Sequence, residues 1–482
     1  MDDVVRIVRF NEVHNKIECD AGIAMEIAEQ YTFDVPGAKF SPLYRNKVWD
    51  GKIRIFQPMN RLLYCGLADN LAEFCSKRDY KVELVGDFAE SNFDKEQAEN
   101  FVSKLKPKHT PRDYQMDAFV HAVQKHRCLL VSPTASGKSL LIYLLSCYYA
   151  KKTLIVVPTT SLVHQLASDF EDYGYPKGSV HKIMSGKEKD TDRMIVCSTW
   201  QSIFKMPKSW FKQFGVVIVD EVHLAKAKSI TTIMNNMTDC KYRFGLTGTL
   251  DKVECNELVL TGMFGPVKKV TTSAELMKRG QIAELEIKAL VLKYPDEIRK
   301  IVAGSEYRDE MDFITQNKTR NNFIKNLALS LKGNSLILFQ LVEKHGKVLF
   351  DLISSEAKDK KVFYIAGDVD SLEREDIRKI ADSGRDDVII VASYGTFSTG
   401  ANIKNINNVV FASPSKSRVR NLQSIGRGLR ISDTKSTATL YDIADDLSWK
   451  TKKNHTLLHF VERIRIYNSE KFSYKIFNID LT

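Results

Sequence analysis

Short β-branched runs recur along the chain between residues 128 and 443. They fall at Cys128–Ser132, Thr153–Val157, Met194–Ser198, Val216–Asp220 and Arg243–Thr247. A second set falls at Ser335–Phe339, Lys361–Ile365, Val388–Ala392, Asn408–Ala412 and Ala438–Ile443. Most are continuous rather than alternating, as expected of strands buried on both faces of a parallel sheet. Between them apolar residues take a helical spacing, as at Ser139–Ala150 and Leu162–Tyr173. This alternation predicts α/β units with right-handed crossovers. The two groups of five are separated by residues 249–332, which are poorer in strand signal and rich in charge. We expect parallel-sheet domains at 89–275 and 333–482, the second ending in a helical segment, with a linking region at 276–332. Residues 1–88 have another texture, with aromatics, basics and a turn signal at Trp49-Asp50-Gly51. They read as a small N-terminal α/β domain, and residues 91–110 as polar helix and linker.

Composition narrows the class. The chain has 482 residues, 43% of them hydrophobic and 27% charged, enough for several cores and unlike a disordered chain. Its net charge of +11 draws polyanions, although charge for solubility alone would look the same. Eight cysteines include no CxxC pair, which argues against a zinc ribbon and for reduced, buried thiols. Met1-Asp2-Asp3 is acidic where a signal peptide needs a basic start. The most apolar segment, near Leu140–Ala150, is too short to span a membrane. These features predict a soluble, cytoplasmic protein, in the host cell if phage-encoded, with no membrane partner.

Two constellations carry chemistry. Pro133-Thr134-Ala135-Ser136-Gly137-Lys138-Ser139 follows a buried strand and opens a helix, the setting of a phosphate-binding loop. Its backbone amides and Lys138 suit the phosphates of ATP, and the Ser139 hydroxyl suits Mg²⁺. Ser132 stands where the general pattern has its first glycine. The second constellation is Asp220-Glu221 at the end of Val216–Val219. A carboxylate there lies in the sheet crevice. Asp220 is placed to hold Mg²⁺, and Glu221 to orient or deprotonate the attacking water.

At this point the chain resembles the superfamily 2 DExH helicases. Pro111–Gln115 looks like the adenine-reading segment, which implies base contacts by Arg112 and Gln115. Pro133–Ser139 looks like motif I, Val157–Thr160 with Leu162 and Gln165 like motif Ia, and Ser198–Ser202 like the next strand-binding motif. Asp220–His223 is similar to motif II, Leu246–Thr249 to motif III, Leu336–Phe339 to motif IV and Ala392–Ile403 to motif V. Gln423-Ser424-Ile425-Gly426-Arg427-Gly428-Leu429-Arg430 matches the QxxGRxxR form of motif VI. The resemblance implies two tandem RecA-like domains. It assigns catalysis to Lys138, Asp220, Glu221, Gln423, Arg427 and Arg430. Gly400 and Asn402 would join the nucleotide contacts, though Asn402 stands where an Asp is common. Pro158, Thr159, Thr199, Gln201 and Thr396 would touch nucleic acid. Arg427 and Arg430, three apart, share a helix face and would neutralise the γ-phosphate. His223 would couple the two domains or be a satisfied interface histidine.

Phe40–Ile55 resembles the N-terminal domain of the recombination and repair DNA helicases of T4-like phages. Its Arg45, Trp49, Lys52 and Arg54 interleave basic and aromatic character, which suits phosphate contact with base stacking. A hairpin with Trp49 in its core is the plainer alternative. The resemblance implies an ATP- and Mg²⁺-dependent helicase acting on branched and single-stranded DNA, monomeric, with a single-strand-binding protein as partner. An RNA helicase and the motor subunit of a nuclease or restriction system remain as alternatives.

Overall fold

The computed structural model describes residues 3–35, 37–184, 186, 188–224, 227–250, 254–367, 371–383, 387–396, 403, 405–415, 417, 424–426 and 437–481. They divide into two compact units, residues 1–132 with 137–270, and residues 133–136 with 271–482.

The first unit opens with a small α/β domain. Strands β1 (Val4–Arg9), β2 (His14–Glu18), β5 (Leu62–Tyr64) and β6 (Lys81–Val85) form a sheet in the order β5-β2-β1-β6, and β3 (Thr32–Asp34) pairs with β4 (Lys52–Arg54). Val5, Ile7 and Ile17, alternate positions on β1 and β2, meet Ile23, Ala24 and Ile27 of the helix Ala21–Gln30 and close its core.

A fully parallel sheet follows: β7 (Arg127–Val131), β8 (Thr153–Val157), β9 (Val180–Ile183), β10 (Ile195–Thr199), β11 (Val216–Val219), β12 (Tyr242–Thr247) and β13 (Val267–Lys269), in the order β13-β7-β12-β11-β8-β10-β9. The central strands β8, β10 and β11 are mostly apolar, and with β12, which carries the buried Arg243, they are buried almost throughout. The two strands missed in the sequence, β9 and β13, are the sheet's edges. They are short and carry His and Lys, as edge strands exposed to water do. The polar helix expected near 91–110 forms at Lys95–Leu105, with an Asp94/Gln97 capping box. It is no free linker, because Phe101, Val102 and Leu105 pack on the first domain's core.

The two units meet the α/β expectation of tandem RecA-like sheets. The second holds β14 (Glu284–Lys293), β15 (Ser335–Phe339), β16 (Lys361–Ile365), β17 (Val388–Ser393), β18 (Asn408–Phe411), β19 (Thr437–Asp446) and β20 (Tyr474–Asp480). All pair in parallel, in the order β16-β17-β15-β18-β19-β14-β20. Two corrections follow. Residues 276–332, expected to link domains, contribute β14, whose first half alternates instead of running apolar. The C-terminal segment, expected as helix only, has the helix His455–Ser469 and then the largely exposed edge strand β20.

Two arginines are buried under this sheet's crevice. Arg320 Nε donates to Asp445 at 2.7 Å and Arg463 Nε to Asp442 at 2.9 Å. Each also grips the turn after β18, Arg320 at Ala412 O (2.8 Å) and Arg463 at Ser415 O (3.1 Å). That turn leads in sequence to motif VI.

Candidate functional site

Strand order assembles the site. In the run β7-β12-β11, motif I follows β7, motif II follows β11 and motif III follows β12, so three distant segments emerge side by side at the carboxyl ends of the strands. Ser132 N–H donates to Thr247 O at 2.9 Å and Asp220 N–H to Val156 O at 2.9 Å, tying these exits together.

Within the phosphate loop Ala135 takes a left-handed φ of 66°, and Ser136 Oγ–H donates to Pro133 O at 2.7 Å. Gly137 also has a positive φ, 80°, and a Cβ there would lie 2.4 Å from Gln115 Nε2, so a larger residue would take on backbone strain and push the Gln115 amide aside. Gln115, expected to read adenine, uses its amide locally. Nε2 donates to Gly137 O at 3.1 Å, and Oε1 accepts from Arg112 N–H at 2.8 Å. Arg112 Nη1 donates to Tyr114 Oη at 2.9 Å. These bonds brace the segment against the loop.

Lys138 Nζ donates to Ser132 O at 3.2 Å and stands 3.4 Å from Glu221 Oε1. Both side chains are largely buried, 11% and 17% exposed, so this pair is little screened. Glu221 has φ 51°, a left-handed conformation that costs a glutamate about 1–2 kcal/mol. That strain aims the carboxylate back toward the loop. Its Oε2 is buried without a hydrogen-bond partner among the described residues, 3.4 Å from His223 Nδ1. Burial works to raise the Glu221 carboxyl, but the Lys138 ammonium first, with help from the Gly248 amide, outweighs it and holds it below the usual range. Asp220 goes the other way. Burial first, then repulsion from Glu221, lifts it well above the ordinary carboxylate range, against the pull of Lys138. One carboxylate is thus held ionised and its neighbour is poised to give up a proton to a cation.

His223 is nearly buried, and burial keeps it neutral against the attraction of Glu221. Its Nδ1 bonds Thr247 Oγ1, and Thr247 Oγ1–H reaches Thr249 O at 2.7 Å. The histidine therefore joins motif II to motif III within the first unit. Ser139 Oγ lies 2.6 Å from Tyr173 Oη, a partner with no signal in the sequence.

Pro158 and Thr199 close neighbouring strands β8 and β10, where Val157 and Thr199 are register partners. Both are buried, whereas Gln201 is exposed. Thr159 caps the helix Thr160–Tyr173. In the second unit Thr396 Oγ1 accepts from Ser393 Oγ at 2.8 Å. Gly400, Asn402, Gln423, Arg427 and Arg430 lie outside the described residues.

On the N-terminal domain Arg45, Lys47 and Lys52 are exposed. Arg54 is paired with Asp50, which removes much of its free charge. Trp49 is half-buried, with Nε1–H donating to Lys52 O at 2.9 Å. Tyr44, an aromatic that the sequence already sets among these cations, is 42% exposed, and sequence reasoning missed the rest of their apolar company: Phe40, Leu43 and Val48 are 68%, 55% and 73% exposed. A cluster of this kind in so basic a segment suits a surface that meets both phosphates and bases.

Comparison with known proteins agrees with this geometry. Residues 5–85 match the family model "DNA helicase UvsW, N-terminal", residues 108–252 "Type III restriction enzyme, res subunit", and residues 319–432 "Helicase conserved C-terminal domain". The ATP-dependent DNA helicase uvsW of Enterobacteria phage T4 is 38% identical over 98% of this chain and 99% of its own length. The crystal structure of T4 UvsW covers 99% of this chain and 100% of its own, with TM-score 0.53 and 35% identity. The Type ISP restriction-modification enzyme LlaBIII bound to DNA reaches TM-score 0.58 at 15% identity, over 77% of this chain and 32% of its own, and shares the fold alone. Matched end to end by a relative of nearly equal length, the chain belongs to the UvsW family of superfamily 2 DNA helicases.

Proposed function

We propose that the chain is an ATP-dependent DNA helicase that unwinds and remodels branched DNA, including forks, Holliday junctions and D- or R-loops, in recombination, repair and replication. The observation that carries this reading is the buried Lys138–Glu221 pair beside Asp220 at the strand ends, with Glu221 Oε2 left without a hydrogen-bond partner among the described residues. An ammonium, an ionised carboxylate and a proton-poised carboxylate suit a polyphosphate, a water and a divalent cation together.

Lys138 turns from Glu221 to the β- and γ-phosphates. Glu221, held ionised, accepts from the attacking water and takes its proton. Ser139 and Asp220 would hold Mg²⁺, which supplies charge neutralisation at the phosphate oxygens. Gln423, Arg427 and Arg430 complete the γ-phosphate contacts by resemblance. Through Thr247, His223 ties the state of Glu221 to motif III. Arg45, Lys47 and Lys52 with their exposed apolar neighbours form a DNA-contacting face. The motor works as a monomer in the host cytoplasm alongside a single-strand-binding protein. Among the described residues no helix is long and apolar enough to cross a membrane.

The relative that matches the whole chain is named a DNA helicase, whereas the restriction-enzyme model spans residues 108–252 only, which favours the DNA-remodelling reading over the alternatives. The test is ATP hydrolysis without nucleic acid, then with single-stranded DNA, a four-way junction and RNA. Stimulation by both DNAs with little from RNA is expected. Stimulation by RNA alone would move the protein to RNA remodelling, and no turnover would end the motor reading.

A further inference from the structure

The helix Thr160–Tyr173 turns its last residue toward the phosphate loop. Tyr173 Oη lies 2.6 Å from Ser139 Oγ. The phenol is held in place from three sides. Its ring packs on Tyr143, with centroids 5.6 Å apart, and edge-on against His109 at 5.6 Å. Its own carbonyl accepts from Lys108 N–H at 3.1 Å. Gly174, with φ 109°, lets the chain turn away at once, so the ring ends the helix without strain.

A serine hydroxyl has one proton and two lone pairs. If a lone pair is given to a cation, the proton must point elsewhere and needs an acceptor. Among the described residues, Tyr173 Oη, 2.6 Å from Ser139 Oγ, stands where that acceptor is needed. A phenol oxygen accepts such a bond without introducing a charge.

We propose that Tyr173 is a positioning residue for the metal–nucleotide complex: it accepts the hydrogen bond from Ser139 Oγ–H and so turns the serine lone pairs toward the cation. This rests on the Mg²⁺-ATP reading of the site. Tyr173 touches neither substrate nor metal, and acts only through Ser139.

Tyr173→Phe keeps the ring and its packing and removes only the hydroxyl. The readouts are binding of a fluorescent non-hydrolysable ATP analogue with and without metal, and Mn²⁺ binding by electron paramagnetic resonance in the presence of that analogue. The expected result is a roughly fivefold loss of metal-dependent affinity, the worth of one hydrogen bond, with metal-free nucleotide affinity unchanged. In a Ser139→Ala background the same change should have no further effect. Equal losses with and without metal, or no loss at all, would overturn the proposal. If the wild-type protein gains no affinity from metal, the Mg²⁺-ATP reading itself fails.

Discussion

Gly66 marks the point where the N-terminal domain meets the helix Glu254–Phe264, and its replacement by alanine probes how firmly the two are joined. A Cβ on Gly66 would lie 2.0 Å from Thr261 O, 2.8 Å from Gly262 O and 2.8 Å from Gly265 N. All three are backbone atoms, so no side-chain rotation relieves the clash, and ordinary contact requires on the order of 1 Å of movement. The opposing surface is just as close, since a Cβ on Gly262 would meet Tyr64 Cβ at 2.8 Å. Overpacking of this kind costs about 1–3 kcal/mol. Movement would also loosen Leu258 and Val259, which pack against the N-terminal core. The exposed Lys241–Asp87 pair, at 2.9 Å, contributes at most about 1 kcal/mol and cannot compensate. A total near 3 kcal/mol shifts the docking equilibrium roughly 150-fold. Hydrogen exchange of residues 65–67 and 254–264 should then speed up, and the N-terminal domain should melt ahead of the rest. Gly178→Ala is the control: its φ of 70° is positive, unlike that of Gly66, and nothing lies within 4 Å, so it carries conformational strain without a clash. Unchanged exchange and melting in Gly66→Ala would refute the close-approach reasoning.

Three further outcomes are expected. Asp220, lifted well above the ordinary carboxylate range by burial and by Glu221, must lose its proton to hold a cation, so metal affinity in the presence of nucleotide should rise as pH climbs toward and through neutrality. Calorimetry in buffers of different ionisation enthalpy should show proton release below neutral pH and none well above it, and pH-independent release would remove Asp220 from the metal site. Asp445→Asn strips the charge partner from the fully buried Arg320 and should cost about 3–5 kcal/mol, read by denaturant unfolding, and a loss under 1 kcal/mol would count against a buried ionic anchor. Replacing Arg45, Lys47 and Lys52 together by Gln should lower the salt slope of single-stranded DNA binding by about 2, while Arg54→Gln, already paired with Asp50, should change it little. An unchanged slope in the triple variant would place the DNA interface elsewhere.

How much of this could be read in the sequence depended on whether a residue's role is local. Strands such as Val216–Val219 declare themselves because burial on both faces demands an unbroken apolar run. Strands β9, β13 and β20, at sheet edges, face water and read like loops, and β14 hid behind its alternation. Lys138, Ser139, Asp220 and Glu221 were legible because phosphate chemistry dictates residue types at fixed places in a strand-loop-helix context. The separate roles of Asp220 and Glu221 were read from their places after the strand, but not their opposite electrostatics, which the 3.4 Å approach of Lys138 to Glu221 sets. Tyr173 and Gly66 carried no signal, since their partners stand 34 residues away for Tyr173 and some two hundred for Gly66. The same holds for Arg320, whose carboxylate lies 125 residues on. Such long-range contacts set the precision of a site whose chemistry short motifs announce. In this chain they fall where two readable segments must be held together: the serine against its acceptor, the N-terminal domain against the helix after motif III, and the turn before motif VI against its sheet. A substitution at any of these three places should alter coupling or stability while leaving every motif letter intact.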